Sequence, residues 1–98
     1  YSDPVAIGAM RAILEVEFSL PEDICVVGAG NIHYSDQVAV PLTTVDQGTS
    51  TLGERATELL LERIASKHPM RPKRILIPPK LVERQSTRRI SARELLGA

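Results

Sequence analysis

Residues 24–33 read ICVVGAGNIH, and the interpretation of this stretch decides the fold. Ile24 to Val27 form an unbroken apolar run. That pattern suits a parallel strand covered on both faces rather than an alternating, half-wet one. Leu20-Pro21-Glu22-Asp23 makes a turn just before it, and a helical stretch lies upstream. Helix, short turn and buried strand are the grammar of an α/β fold. Gly28-Ala29-Gly30 then repeats the first half of a dinucleotide fingerprint, GxGxxG. The third glycine of that fingerprint lets helix and strand approach closely, but His33 stands in its place and no helix begins directly after Gly30. A nucleotide site is therefore disfavoured. Two readings stay open: a flexible turn after a strand, or a ligand loop at the carboxyl end of a parallel strand, where open α/β sheets bind their ligands.

Working outward, the sequence predicts a first helix over about Pro4 to Phe18. Asp3 is a suitable N-cap and Pro4 a suitable first helical residue, because proline's missing N–H costs nothing there. The helix carries two apolar stripes, Val5, Ala9, Ala12/Ile13 and Val16 on one side and Ile7, Met10, Leu14 and Phe18 on the other. A helix that is apolar on two sides needs cover on two sides, either from its own core or from a second subunit. Downstream, NIHYSDQVAVP (31–41) reads as a loop and Leu42–Val45 as a short strand. A second helix spans about Leu52 to Ser66, with Thr51 and Glu54 spaced as a capping box and Leu52, Ala56, Leu59, Leu60 and Ile64 on one face. RILIPPKLVER (74–84) reads as two short strands interrupted by Pro78-Pro79, which cannot donate to a ladder. Ser91 could cap a final helical turn ending near Leu96.

Composition narrows the function. Twelve Lys and Arg balance twelve Asp and Glu across 98 residues. Bulk charge thus offers no attraction to nucleic acid or an anionic membrane. No apolar run approaches the ~20 residues of a membrane helix, so no membrane partner is expected. One cysteine, Cys25, excludes an internal disulfide and a CxxC metal site. It falls in the strand pattern and reads as a small buried hydrophobe, in keeping with a cytoplasmic protein. His33 and His68 lack metal-ligand spacing. Ser35-Asp36 near His33 imitates part of a catalytic triad, but no strand–GxSxG–helix elbow accompanies it. The sequence is read as a non-enzyme with no cofactor and no metal. The basic stretches KHPMRPKR (67–74) and RQSTRR (84–89) lack interleaved aromatics and read as solvated loops.

The order of segments is more specific than any one of them. SDPVAIGAMRAI (2–13), LPEDICVVG (20–28), VPLTTVDQ (40–47), LGERATELLLERI (52–64) and LVERQST (81–87) follow one another. Together they resemble the C-terminal part of the effector domain of the lactose-repressor/galactose-repressor (LacI/GalR) family of bacterial transcription regulators, over about residues 2–87. The family pattern runs NDxxAxGAxxA, a strand ending G-[FY]-D-[DN], PxLTT[VI]xQ, LGxxAxxxLLxxI and LxxRxS.

The resemblance implies a periplasmic-binding-protein-like α/β fold, in which two Rossmann-like subdomains are joined by hinge crossovers. It assigns residues 1–46 to the C-terminal subdomain. Residues 47–79, with the second helix and a strand near 74–77, go to the N-terminal subdomain and its hinge crossings. Residues 80–98 return to the C-terminal subdomain and the tail, with Leu81–Arg84 crossing back. It implies a small-molecule effector, sugar-like or a related metabolite, and a homodimer. Operator DNA would be reached only through an N-terminal helix-turn-helix domain outside this sequence. The sequence is thus read as the effector-binding and dimerisation part of a cytoplasmic regulator, the alternative being a periplasmic sugar-binding receptor of a transporter.

Residue by residue, the effector contacts implied by the family pattern fall on Ser2 and Asp3, on Ala29, Gly30 and Asn31, and on Gln47. Asp3, Asn31 and Gln47 match the pattern. Ser2 replaces an asparagine, Ala29 an aromatic residue and Gly30 the effector-binding carboxylate. A lost charge-assisted hydrogen bond is worth about 1.5–3 kcal/mol, roughly ten- to a hundredfold in affinity. The family's dimer interface falls on Ile7, Met10, Arg11 and Leu14 of the first helix and on Tyr34, Val38, Val40 and Pro41 of the loop before the LTTV strand.

Overall fold

The computed structural model describes residues 1–88 and residue 97, so the helical turn expected over Ser91–Leu96 lies outside the described residues. Five elements follow in order: α1 (Asp3–Glu15), β1 (Val27–Ala29), β2 (Thr43–Asp46), α2 (Thr49–Ala65) and β3 (Lys80–Val82). The sheet order is β1-β2-β3. β1 and β2 run parallel, with Val27 opposite Thr43, Gly28 opposite Thr44 and Ala29 opposite Val45. β3 returns antiparallel to β2, with Asp46 opposite Lys80 and Thr44 opposite Val82.

That last register has a topological consequence. The chain leaves the sheet at Asp46 and re-enters it at Lys80, directly across the ladder. Everything between, α2 included, is an excursion tied to the sheet by two adjacent strands. The radius of gyration is 19.5 Å, against about 13 Å for a single globule of 100 residues. No residue of α2 is buried, and Ile64 is 71% exposed. By contrast α1 lies on the sheet and buries Asp3, Ala6 and Met10. The core is the group Ala6, Met10, Leu20 and Leu42, flanked by Ile7, Ile13, Ile24, Val26, Val38 and Val40.

Several boundaries move for identifiable reasons. α1 starts one residue early, so Asp3 is its first residue and not its cap. Ser2 holds the N-cap position without a side-chain cap bond. The apolar run at 24–27 enters the ladder only at Val27, which is half-exposed, because α1 covers one face of the sheet. Its earlier part is held instead by residue 86: the Val26 N–H donates to the Ser86 carbonyl at 3.2 Å. The Ser86 hydroxyl donates to the Val26 carbonyl at 2.6 Å and accepts from Thr43 N–H at 2.8 Å. The capping box at Thr51 and Glu54 is overturned. α2 begins at Thr49 behind a left-handed Gly48, with no side-chain cap bond. Residues 74–77 form no strand. They run alongside α2 with no ladder partner among the described residues, and Ile75 and Ile77 face Leu52, Ala56 and Leu59 across a shallow groove. Cys25 is exposed, not buried, and its thiol lies 3.5 Å from the Pro21 carbonyl.

Candidate effector site

Residues 24–33 end at the carboxyl edge of two parallel strands. The ladder continues one bond past β1, where Gly30 N–H donates to the Val45 carbonyl at 2.9 Å. Gly30 has φ +121° and Asn31 φ +51°. The first suits glycine, and the second is the left-handed region that asparagine tolerates better than most residues. This double turn brings Asn31 back over the end of β2. Its Nδ2 donates to Asp46 Oδ2 at 3.0 Å, and its backbone N–H donates to Thr44 Oγ1 at 3.2 Å.

Asp46 also accepts at Oδ1 from the Gly48 N–H at 2.7 Å, which shapes the turn into α2. The Asn31 amide and the Gly48 N–H stabilise its ionised form, and Lys80 adds a favourable charge. Against slight burial these hold its carboxyl below the ordinary Asp value. Behind Asn31 lies Arg84, whose Nη2 donates to Asn31 Oδ1 at 2.8 Å and whose Nη1 donates to the Leu42 carbonyl at 2.9 Å. Gly30, Asn31, Asp46 and Gly48 then face Thr49, Ser50 and Thr51, the first turn of α2, across a cavity of about 300 Å³. That volume is at the lower end for small-molecule sites. One wall carries a carboxylate and an amide. The other carries three hydroxyl-bearing residues at the positive end of a 17-residue helix.

Beneath the loop, Asp3 is fully enclosed. Its Oδ2 accepts from Ile32 N–H at 2.9 Å and from Ser35 Oγ at 2.6 Å, and its Oδ1 accepts from Thr44 Oγ1 at 2.6 Å. Burial pushes this carboxyl up. The bonds from Ser35, Thr44 and Ile32, helped by the Arg84 charge, outweigh that and hold it below the ordinary value. Gly28 permits this approach: a Cβ there would run into Asp3 Oδ1 and sit 2.8 Å from Leu42 Cδ2. The triad-like Ser35 is thereby accounted for, since its buried hydroxyl serves Asp3. His33 packs edge-on against Tyr34, with ring centroids 5.0 Å apart.

Of the effector-contact residues read from the sequence, Gly30 and Asn31 line the cavity. Ser2, Asp3, Ala29 and Gln47 do not. Asp3 lies enclosed below it, Ala29 belongs to β1, and Gln47 is exposed. Sequence reasoning missed Asp46, Arg84 and the Thr49–Thr51 turn. The TTVDQG string carried a signal for Asp46 alone, since an Asp two residues before a glycine can accept from the glycine's own N–H.

The expected dimer residues divide similarly. Ile7, Met10, Arg11, Leu14, Val38 and Val40 line an apolar groove of about 240 Å³ together with Ala39, whereas Tyr34 and Pro41 lie outside that lining. Met10 is only 3% exposed and belongs to the core as the groove's floor. Among the described residues no cluster of His, Cys, Asp and Glu could hold a metal ion, and no helix is long and apolar enough to cross a membrane.

Comparison with known proteins agrees with this architecture. A family model described as a periplasmic binding protein-like domain matches residues 1–87. An HTH-type transcriptional repressor PurR from Mannheimia succiniciproducens is 46% identical over 90 residues, covering 92% of this chain and 27% of that protein. The PurR repressor of Actinobacillus pleuropneumoniae serotype 3 is 41% identical over 92 residues, covering 93% of this chain and 27% of the repressor. The chain thus spans about a quarter of the length of these relatives. Among solved structures, an uncharacterized protein from Actinobacillus succinogenes superposes with a TM-score of 0.80 at 39% identity, over 89% of this chain and 31% of that one. The transcriptional regulator CelR in complex with cellobiose gives 0.80 at 29% identity, over 87% and 26%. A LacI family regulator from Lactobacillus casei with bound sucrose gives 0.74 at 29% identity, over 87% and 30%.

Proposed function

Because the chain belongs to the periplasmic binding protein-like domain family, in the version carried by LacI/GalR regulators, we propose that it is the effector-sensing and dimerising part of a bacterial DNA-binding transcription regulator. The observation that carries this is the cavity bounded by Asn31 and Asp46 on one side and by the α2 N-terminus on the other. It lies outside the carboxyl ends of parallel strands β1 and β2, where an open α/β sheet takes a ligand. It also lies where the chain leaves the sheet for the 47–79 excursion. A ligand bridging the two walls would favour one angle of that excursion over others. Such differential affinity is what a sensor needs in order to shift a conformational equilibrium.

The cavity's chemistry suits a neutral, hydroxyl-rich molecule such as a sugar. The loop lacks a carboxylate at Gly30, and Asp46 supplies one from the neighbouring strand. An ionised Asp46 accepts ligand hydroxyls and repels anions. Similarity to regulators solved with cellobiose and with sucrose supports the same class. Residues 1–46 and the return from residue 80 form one lobe in this reading, and residues 47–79 belong to the other. The apolar groove of Ile7, Met10, Leu14, Val38 and Val40 is the homodimer surface. Operator DNA is contacted by a separate domain of the cytoplasmic regulator. The repressor relatives favour this over a transporter's sugar receptor.

The test is titration calorimetry on the protein at its natural length, with a panel of mono- and disaccharides and nucleobases. One ligand per protomer is expected, with affinity lost in Asp46→Ala and retained in Lys67→Ala, at an exposed loop position far along the chain.

A further inference from the structure

The orientation of an asparagine side chain is set by its neighbours, because its two ends have nearly the same shape. At Asn31 the neighbours leave no choice. Arg84 carries only donors and stands 2.8 Å from one end, so that end is the oxygen. Asp46, held ionised, carries only acceptors and stands 3.0 Å from the other, so that end is the nitrogen. Arg84 is itself anchored by its second nitrogen on the Leu42 carbonyl. A planar fork with one prong on the Leu42 carbonyl, just before β2, and one on the amide cannot rotate without losing both bonds.

We infer that Arg84 is a positioning residue for the ligand cavity: its guanidinium locks the Asn31 amide in one orientation, so that the wall presents an NH2 edge beside the Asp46 carboxylate. The inference rests on reading this cavity as the effector site. It adds a residue that lies outside the lining and 53 positions from the side chain it controls. Without Arg84 the amide would be held at one end only, by the Asp46 carboxylate, and its plane would pivot about that single bond. A sugar hydroxyl seated beside the amide and Asp46 would then meet a donor that is no longer held in place.

Asn31 is the chain's single asparagine, so asparagine-selective nitrogen-15 labelling reports one side-chain amide from this segment. The experiment compares the wild-type protein at natural length with R84M and R84K, and follows the Ala6 and Met10 backbone amides in parallel, uniformly nitrogen-15-labelled samples as a monitor of the fold. In wild type the two Asn31 side-chain protons should be widely separated. In R84M the separation should narrow, since only the Asp46 bond remains, while Ala6 and Met10 stay in place, and R84K should be intermediate because it keeps the charge without the fork. An unchanged Asn31 amide in R84M overturns the inference. If R84M does not fold, an unchanged amide in R84K overturns it. Cellobiose titrated into the same samples should bind R84M about ten-fold more weakly than wild type. Cellobiose and the rest of the panel, nucleobases included, failing to bind wild type would overturn the sensor reading, with the amide resonances still deciding the part played by Arg84.

Discussion

Thr44 Oγ1 donates to Asp3 Oδ1 at 2.6 Å, joining two residues 41 positions apart. The same hydroxyl oxygen accepts from the backbone N–H of Asn31. Thr44 is therefore a relay between a buried carboxylate at the start of α1 and the loop that walls the candidate cavity. Asp3 fixes the loop a second time through Ile32 N–H. The geometry gives Asp3 a supporting role under the site, one layer below the residues that face the cavity.

Asp3→Asn should destabilise the fold and loosen the loop. An amide nitrogen in place of one oxygen confronts a donor with a donor, leaving at least one buried group without a partner at a cost of about 1–3 kcal/mol. Urea unfolding followed by circular dichroism measures this. A variant as stable as wild type would show that the three bonds to Asp3 carry little.

The same carboxylate predicts an acid response. Asp3 and Asp46 both have folded-state values below the ordinary 3.8. Depressed carboxylates contribute stability that is fully present above the unfolded-state value and is lost as pH falls through the folded-state one. Stability should thus be flat with respect to these two groups from neutrality down to about pH 5, then fall below pH 3.8. Asp3→Asn should flatten that acid limb. A limb unchanged in the variant would contradict the assignment.

Gly28→Ala should be among the most damaging single-methyl additions. The new Cβ would collide with Asp3 Oδ1 and press on Leu42, itself completely buried. Overpacking of this kind typically costs about 1–3 kcal/mol, and loss of an Asp3 bond adds to it. Gly53→Ala is the control, since nothing stands within 4 Å of the site a Cβ would take. It should be neutral or stabilising by up to about 1 kcal/mol, because alanine is the better helix former.

Leu14→Glu tests the dimer surface. Leu14 is 40% exposed on the rim of the groove that Met10 floors. A charge there leaves the protomer's own core intact and opposes burial against a second copy. Sedimentation should show a dimer for wild type and a monomer for the variant, with unchanged helicity. A variant that remains dimeric would place the interface elsewhere.

The fold was legible where local patterns are strong and hardly at all where contacts are distant. The apolar spacing of 4–18 and 52–66 located both helices within three residues, and LTTV located β2 within one. The Thr51–Glu54 capping box misled because α2 begins three residues earlier than it implies, where Gly48 turns the chain and the Asp46 carboxylate takes the Gly48 N–H. Asp46 was signalled only as a turn residue before Gly48, and Arg84 only as the arginine of LxxRxS, neither as part of a cavity. Their roles depend on β2–β3 register and on a loop that doubles back 15 positions earlier in the chain, which neither spacing nor propensity encodes. Asp3 read as a helix cap because its burial depends on Gly28 lying beneath it. Cys25 read as buried because the strand was expected to begin at Ile24, whereas ladder pairing starts at Val27.

Where a neutral saccharide binds can be located by backbone amide shifts during a titration of the protein at natural length. The largest changes should fall on Gly30, Asn31, Gly48 and Thr49–Thr51, on both walls at once. Saturable shifts confined to α1 and the Val38–Val40 loop, or to one wall alone, would contradict a ligand that bridges the excursion to the sheet.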